Sequence, residues 1–117
     1  MRKLYHLSTC STCQRIIKNL DISGSGLILQ DIKTEKITTE QLEEMSRLAG
    51  GYEPLFSRRS MKYKSMGLKD KVLSEDDYRN LILEEYTFLK RPVFIIDGKI
   101  FIGNSKKVVE LAEKALS

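Results

Sequence analysis

Cys13, Ile16, Ile17 and Leu20 recur at i, i+3, i+4 and i+7. That spacing brings side chains to one face of an α-helix, so the segment reads as a helix with one buried side. Before it, residues 3–7 are short and apolar-rich and read as a strand, and the small polar run 8–12 is the turn between the two. Gly24 and Gly26 close this region, and residues 27–32 read as a second strand. A strand–helix–strand unit of this size implies a parallel pair joined by a right-handed crossover. Thr38 with Gln41 three places on has the form of a capping box. Leu42, Met45, Leu48 and Ala49 then supply the apolar stripe of a helix that Gly50-Gly51 stops. Residues 57–65 read as a short helix or turn. Ser74 caps a helix carrying Tyr78, Leu81, Ile82 and Glu85 or Tyr86, with acidic residues in its first turn, where the helix dipole favours them. Pro92 breaks what precedes it, and Val93–Ile96 is a β-forming run. Asp97-Gly98 is a two-residue type I′ hairpin signal and residues 100–102 are the returning strand. Asn104 or Ser105 caps a last helix with Val108, Leu111, Ala112 and Ala115 on its buried side. The order is βαβ, a helical insert at about 38–90, then ββα within one 1–117 domain. It fits an α/β fold with a four-stranded mixed sheet and helices on both faces.

Composition narrows the class. The chain has 117 residues, 41% apolar and 31% charged, with two prolines. That is enough chain for one modest core and argues against disorder or low complexity. The net charge of +4 is mildly basic and gives no sign of direct nucleic-acid binding. The charge is uneven: Arg58, Arg59, Lys62, Lys64, Lys69 and Lys71 precede the acidic Glu75, Asp76, Asp77, Glu84 and Glu85. No run approaches the ~18 consecutive apolar residues of a membrane span, and His6, Ser8, Thr9 and Ser11 interrupt any signal-peptide core. The expected compartment is the cytoplasm, where thiols are kept reduced.

In that setting Cys10-Ser11-Thr12-Cys13 is the strongest chemical motif. It lies between a predicted strand and a predicted helix. A helix N-terminus presents unpaired N–H groups and a partial positive charge, both of which stabilise a thiolate. Cys10 is therefore expected to have a depressed pKa and to act as nucleophile. Cys13, one turn later and in register with Ile16 and Ile17, is expected to be more buried and to resolve a mixed disulfide. The bland alternative is a pair of small core residues. A closed zinc site needs four ligands, and only Cys10, Cys13 and His6 are at hand, so no metal is expected. His6 is the sole histidine; as a cation near Cys10 it would favour the thiolate, or it is a strand histidine without a role. Arg91 is a fixed cation suited to a carboxylate, phosphate or arsenate oxyanion, or a solvated surface arginine. Pro92 stands at a strand start, where proline is permitted. Of the neighbours Arg58 and Arg59, whose side chains point different ways, at most one is expected to reach a common anion. No flavin, nucleotide or Gly-rich phosphate motif is present.

Together these residues resemble the arsenate reductase (ArsC)/Spx family, over nearly the whole chain. Leu4-Tyr5-His6-x-x-x-Cys10 is similar to the start of the glutathione/glutaredoxin-coupled arsenate reductases, whereas Cys10-x-x-Cys13 resembles the redox motif of Spx regulators. Ser57-Arg58-Arg59-Ser60 followed by Tyr63 resembles the Spx arginine segment, and Leu89-Lys90-Arg91-Pro92-Val93 the family's Arg-Pro-hydrophobic motif. The resemblance implies a thioredoxin-like sheet with a helical insert and Cys10 attacking an oxyanion or disulfide. It also implies Arg91 and Arg59, with Arg58 in the same segment, around the anion, and a cis Pro92 beside the cysteine. Glutathione as co-substrate, and glutaredoxin or thioredoxin as reductant, follow from the reductase branch; no other cofactor is implied. The Spx branch implies a redox-sensing regulator that binds the RNA polymerase α subunit, with Gly51 placed like the loop glycine used there. Arsenate reductases carry a further arginine after the hairpin, where this chain has Phe101-Ile102-Gly103-Asn104.

Overall fold

The computed structural model describes residues 2–20 and 25–116; Gly24, expected to help end the first helical region, lies outside them. In chain order the elements are β1 (Arg2–His6), α1 (Ser11–Asn19), β2 (Ile28–Asp31), α2 (Thr39–Ala49), α3 (Met61–Ser65), α4 (Glu75–Glu84), β3 (Val93–Ile96), β4 (Lys99–Ile102) and α5 (Lys106–Leu116). They fall into two compact units, residues 1–36 with 91–117, and residues 37–90.

The first unit holds the sheet, in the order β2-β1-β3-β4. β1 runs parallel to β2, with Leu4 opposite Leu29, and antiparallel to β3, with Leu4 opposite Phe94; β3 and β4 pair antiparallel through Phe94 and Phe101. All four residues of β3 are buried, as expected of a central strand whose faces are both covered. On one face Leu4, Phe94 and Ile96 meet Ile16 and Leu20 from the α1 end and Ala112 of α5. Tyr5, Val93 and Ile95, which alternate with them, are buried as well. The hairpin between β3 and β4 is the two-residue turn foreseen: Asp97 (φ 50°) and Gly98 (φ 85°) are both left-handed, as a type I′ turn requires. Arg2 holds Asp97 across this end at 3.1 Å and donates to the Leu116 carbonyl at 3.1 Å.

Several boundaries and faces differ from the sequence reading. The first strand begins and ends one residue earlier than 3–7. β2 is shorter than 27–32, and as a sheet edge it leaves Ile28 60% and Leu29 39% exposed. In α5 the buried stripe runs through Val109, Ala112, Ala115 and Leu116. Leu111 falls off that stripe and stays 44% exposed. Small Ala112, fully buried, sets the contact with Phe94 and Ile96. Ser105 rather than Asn104 caps this helix, its Oγ accepting from the Val108 N–H at 3.2 Å.

The second unit is helical. Thr38 and Gln41 form the full capping box of α2, both bonds at 3.1 Å, and Gly50 ends that helix at φ 84°. α2 buries Leu42 and Met45 and leaves Leu48 at its exposed edge. Ser74 and Asp77 box the start of α4. α4 stops at Glu84; Glu85 turns out to accept from the Thr87 N–H and hydroxyl, and Tyr86–Phe88 form a 3-10 turn. Gly51 (φ 149°) lies against Glu75, whose carboxylate accepts from the Tyr52 and Glu53 N–H groups at 2.8 and 3.2 Å. An added Cβ there would come within 2.6 Å of Glu75 Oε1. Its positive φ gives Gly51 a backbone reason to be glycine, and a side chain there would also displace the Glu75 carboxylate.

Candidate active site around Cys10

Cys10 is the N-cap of α1, with extended backbone angles (φ −90°, ψ 107°). It sits where β1 has just ended and the chain turns through Ser8 and Thr9. That turn is tied from two sides. The Cys10 N–H donates to the Leu7 carbonyl at 3.0 Å, and the Asp31 carboxylate at the end of β2 accepts from the Ser8 N–H at 3.1 Å and the Lys33 N–H at 3.1 Å. Slight desolvation of Asp31 is outweighed by the Ser8 hydroxyl, the Lys33 and Ser8 N–H groups and the facing His6, so its carboxyl titrates below the usual carboxylate range.

Both cysteines are free thiols, Cys10 half-buried and Cys13 buried. They are pushed in opposite directions. Around Cys10, partial burial opposes the charge. The Cys13 backbone N–H, the Cys13 thiol and the Arg91 guanidinium, the last as both hydrogen-bond donor and charge, outweigh it and hold Cys10 below an ordinary thiol. Cys10 makes no close capping bond to its helix, so this stabilisation comes from several weak donors and a cation together. Burial pushes Cys13 up to about 12, aided by hydrogen bonding to Cys10 and its charge, against the Leu7 N–H and Arg91. The pair is therefore a thiolate candidate beside a locked thiol that can donate to it.

Arg91 stands at the entry of β3, and the Arg91–Pro92 peptide that leads into the strand is cis. The Pro92 carbonyl accepts from the Gly103 N–H at 2.9 Å, which ties the entry of β3 to the end of β4. Arg91 is half-buried. The structure thus brings Cys10, Cys13 and Arg91 together, with Pro92 next in line. His6 lies at the end of β1 opposite Asp31, and its Nδ1 is 3.2 Å from the Gln14 side-chain nitrogen.

Arg58 and Arg59 belong to the second unit. Arg58 donates to the Tyr78 hydroxyl at 3.0 Å and lies over the Phe56 and Tyr78 rings at 5.9 and 5.7 Å. Arg59 is exposed in the turn that precedes α3. Among the described residues, no group of three or more His, Cys, Asp and Glu is placed to hold a metal, and no helix is long and apolar enough to cross a membrane.

Gln14, Leu7, Ser8 and Asp31 escaped the sequence reading. Gln14 carried one usable signal: it follows Cys10 by four residues, and helix side chains lean toward the N-terminus over the preceding turn. Leu7 contributes only backbone, and Asp31 arrives through sheet pairing, so neither leaves a local pattern.

Comparison with known proteins bears on the family and the fold. The ArsC family profile matches residues 5–112. The global transcriptional regulator Spx 2 of Bacillus cereus is 23% identical over 107 residues, covering 91% of this chain and 82% of that protein. The regulatory protein MgsR of Bacillus subtilis is 22% identical, covering 94% and 89%. The arsenate reductase from Vibrio cholerae superposes with a TM-score of 0.77 at 18% identity, over 97% of this chain and 96% of that one. The fold is the thioredoxin-like one of that structural group.

Proposed function

This chain belongs to the ArsC family, and from that footing we propose that it is a thiol-dependent reductase in which Cys10 attacks an oxyanion or a disulfide. The observation that carries the reading is the convergence of Arg91 and the Cys13 N–H and thiol on the Cys10 sulfur. A sulfur kept anionic beside a guanidinium is both a nucleophile and one wall of an anion site. Attack on an arsenate-type oxyanion forms a sulfur–arsenic bond and releases water. A second thiol, Cys13 or glutathione with glutaredoxin, then attacks the Cys10 sulfur. A disulfide forms, two electrons pass to the arsenic, and the reduced oxyanion leaves. Thioredoxin or glutaredoxin returns the protein to the dithiol. Arg91 would hold the oxyanion, and His6 would tune the thiolate.

The test is turnover of arsenate with glutathione and glutaredoxin, or with thioredoxin, in the wild type, Cys10→Ser and Cys13→Ala. We expect Cys10→Ser to be dead. Slow turnover is expected of the wild type, because residues 101–104 bring no further arginine. One missing charge-assisted contact of about 1.5–3 kcal/mol lowers anion affinity roughly 10–100-fold. Undiminished turnover in Cys10→Ser would refute the assignment.

A second reading has its own support in the Spx 2 and MgsR relatives and in the paired cysteines. Here a Cys10–Cys13 disulfide is a redox switch and the partner is the RNA polymerase α subunit. An arsenate-inert protein whose oxidised form binds α subunit more tightly than its reduced form would establish it.

A further inference from the structure

The Gln14 side chain is the least expected part of the site. Its Nε2 donates to the Leu7 carbonyl at 3.0 Å and lies 3.2 Å from His6 Nδ1. An amide nitrogen only donates, and the Leu7 carbonyl fixes which end of the amide points inward. In the neutral ring, His6 Nδ1 is then the nitrogen placed to accept, with the ring proton on Nε2. Leu7, whose carbonyl Gln14 grips, meets both cysteines through its two backbone groups: the carbonyl, in the Leu7–Ser8 peptide, accepts the Cys10 N–H at 3.0 Å, and the N–H, in the preceding peptide, is directed at the Cys13 sulfur. Gln14 itself is anchored by the first bond of α1, its N–H donating to the Cys10 carbonyl at 3.1 Å.

We propose that Gln14 is the positioning residue of this site, its amide clamping the Leu7 peptide and His6 together so that Cys10 and Cys13 are presented at fixed places. This deepens the thiol-chemistry reading and rests on it for its meaning. Gln14 touches neither sulfur in this role; it acts through Leu7. The charged and titratable groups around the clamp are Asp31, which faces His6 from β2, and Arg91, which faces Cys10 from the start of β3. Asp31 accepts from the Ser8 N–H of that same Leu7–Ser8 peptide, so the peptide's carbonyl is held by a side chain of α1 and its N–H by a side chain of β2.

The experiment compares wild type, Gln14→Met and Gln14→Glu. Methionine keeps the length and helix preference but has no donor; the glutamate carboxylate can only accept. Alkylation of Cys10 and Cys13 is followed as a function of pH by peptide mass spectrometry, and the His6 ring by 15N NMR. In Gln14→Met the Cys10 rate at pH 7 should fall about three- to tenfold, the effect of roughly one neutral hydrogen bond. The profile should move to higher pH with its alkaline plateau kept, and Cys13 should stay protected. The Nδ1 signal of His6 should shift as its donor is lost. Gln14→Glu should fall at least as far. An unchanged Cys10 profile, an unchanged imidazole spectrum, or wild-type behaviour in Gln14→Glu would overturn the proposal. So would exposure of Cys13 in both variants, which would make Gln14 a support of the fold alone. A wild-type Cys10 no faster than Cys13 would instead sink the reductase reading, and the imidazole spectrum would still decide Gln14.

Discussion

Replacing Arg91 by glutamine removes the cation that, among the described residues, holds the Cys10 thiolate. The guanidinium acts there both as hydrogen-bond donor and as a charge. A charge-assisted hydrogen bond contributes about 1.5–3 kcal/mol. Both partners are half-exposed, and solvent screening puts the expected effect at the low end, about 1.5 kcal/mol. Since 1.4 kcal/mol is about a factor of ten, the thiolate-to-thiol ratio of Cys10 at a fixed pH below its midpoint should fall roughly tenfold. The sign is fixed: losing a cation disfavours the anion, so the midpoint rises. Reactivity falls less than the thiolate population, because a more basic thiolate is a better nucleophile. With a Brønsted slope of about 0.4–0.5, a tenfold smaller population should appear as roughly a three- to fourfold slower reaction with a disulfide probe. Ultraviolet thiolate absorbance across a pH titration measures the population, and stopped-flow reaction with the probe measures the rate. If the midpoint is unmoved or falls, Arg91 does not stabilise the thiolate and the geometry around Cys10 has been misread. If population and rate drop by the same large factor, the rate loss is steric and the electrostatic account fails.

The remaining predictions follow from the same contacts. Cys13, pushed to about 12 mainly by burial, should resist alkylation at pH 9, where Cys10 reacts fully; Cys10→Ser should lower the Cys13 midpoint by removing a negative neighbour, yet leave it above that of a free thiol. Because Cys13 ionises more readily unfolded than folded, its contribution to stability is whole below about pH 9 and declines as pH rises toward 12; urea unfolding of Cys13→Ala should show a shallower alkaline decline than wild type. Phe94→Ala, at a fully buried position between β1 and β4, should cost about 3–5 kcal/mol by urea unfolding. Thr38→Ala, which breaks the capping box of α2, should cost about 1 kcal/mol.

The parts legible in the sequence were those encoded locally. The α1 stripe, the Thr38 and Ser74 caps, the Gly50 stop and the Asp97-Gly98 turn each depend on residues a few places apart, whose physics is the same in any fold. The exposed Leu111 and Leu48 were misjudged for a shared reason. Apolar character and spacing say that a side chain belongs to a stripe, but which edge of the stripe is covered depends on what packs there.

What the sequence by itself determined is the order of elements and the place of the two cysteines: a CxxC motif following a strand and opening a helix puts Cys10 at the helix N-cap through local geometry alone. Only the tertiary structure decided how that thiol is tuned. Arg91 stands 81 residues from Cys10 in the chain, and it meets the sulfur because β3, whose entry it marks, pairs antiparallel with β1. Asp31 reaches the Ser8 turn because β2 pairs parallel with β1, in register His6 to Asp31. Strand pairing is a long-range choice made by the burial of whole faces; it carries Asp31 to a place that no pattern around it announces, and Arg91 to one that only the Arg91-Pro92 motif of the family resemblance announced.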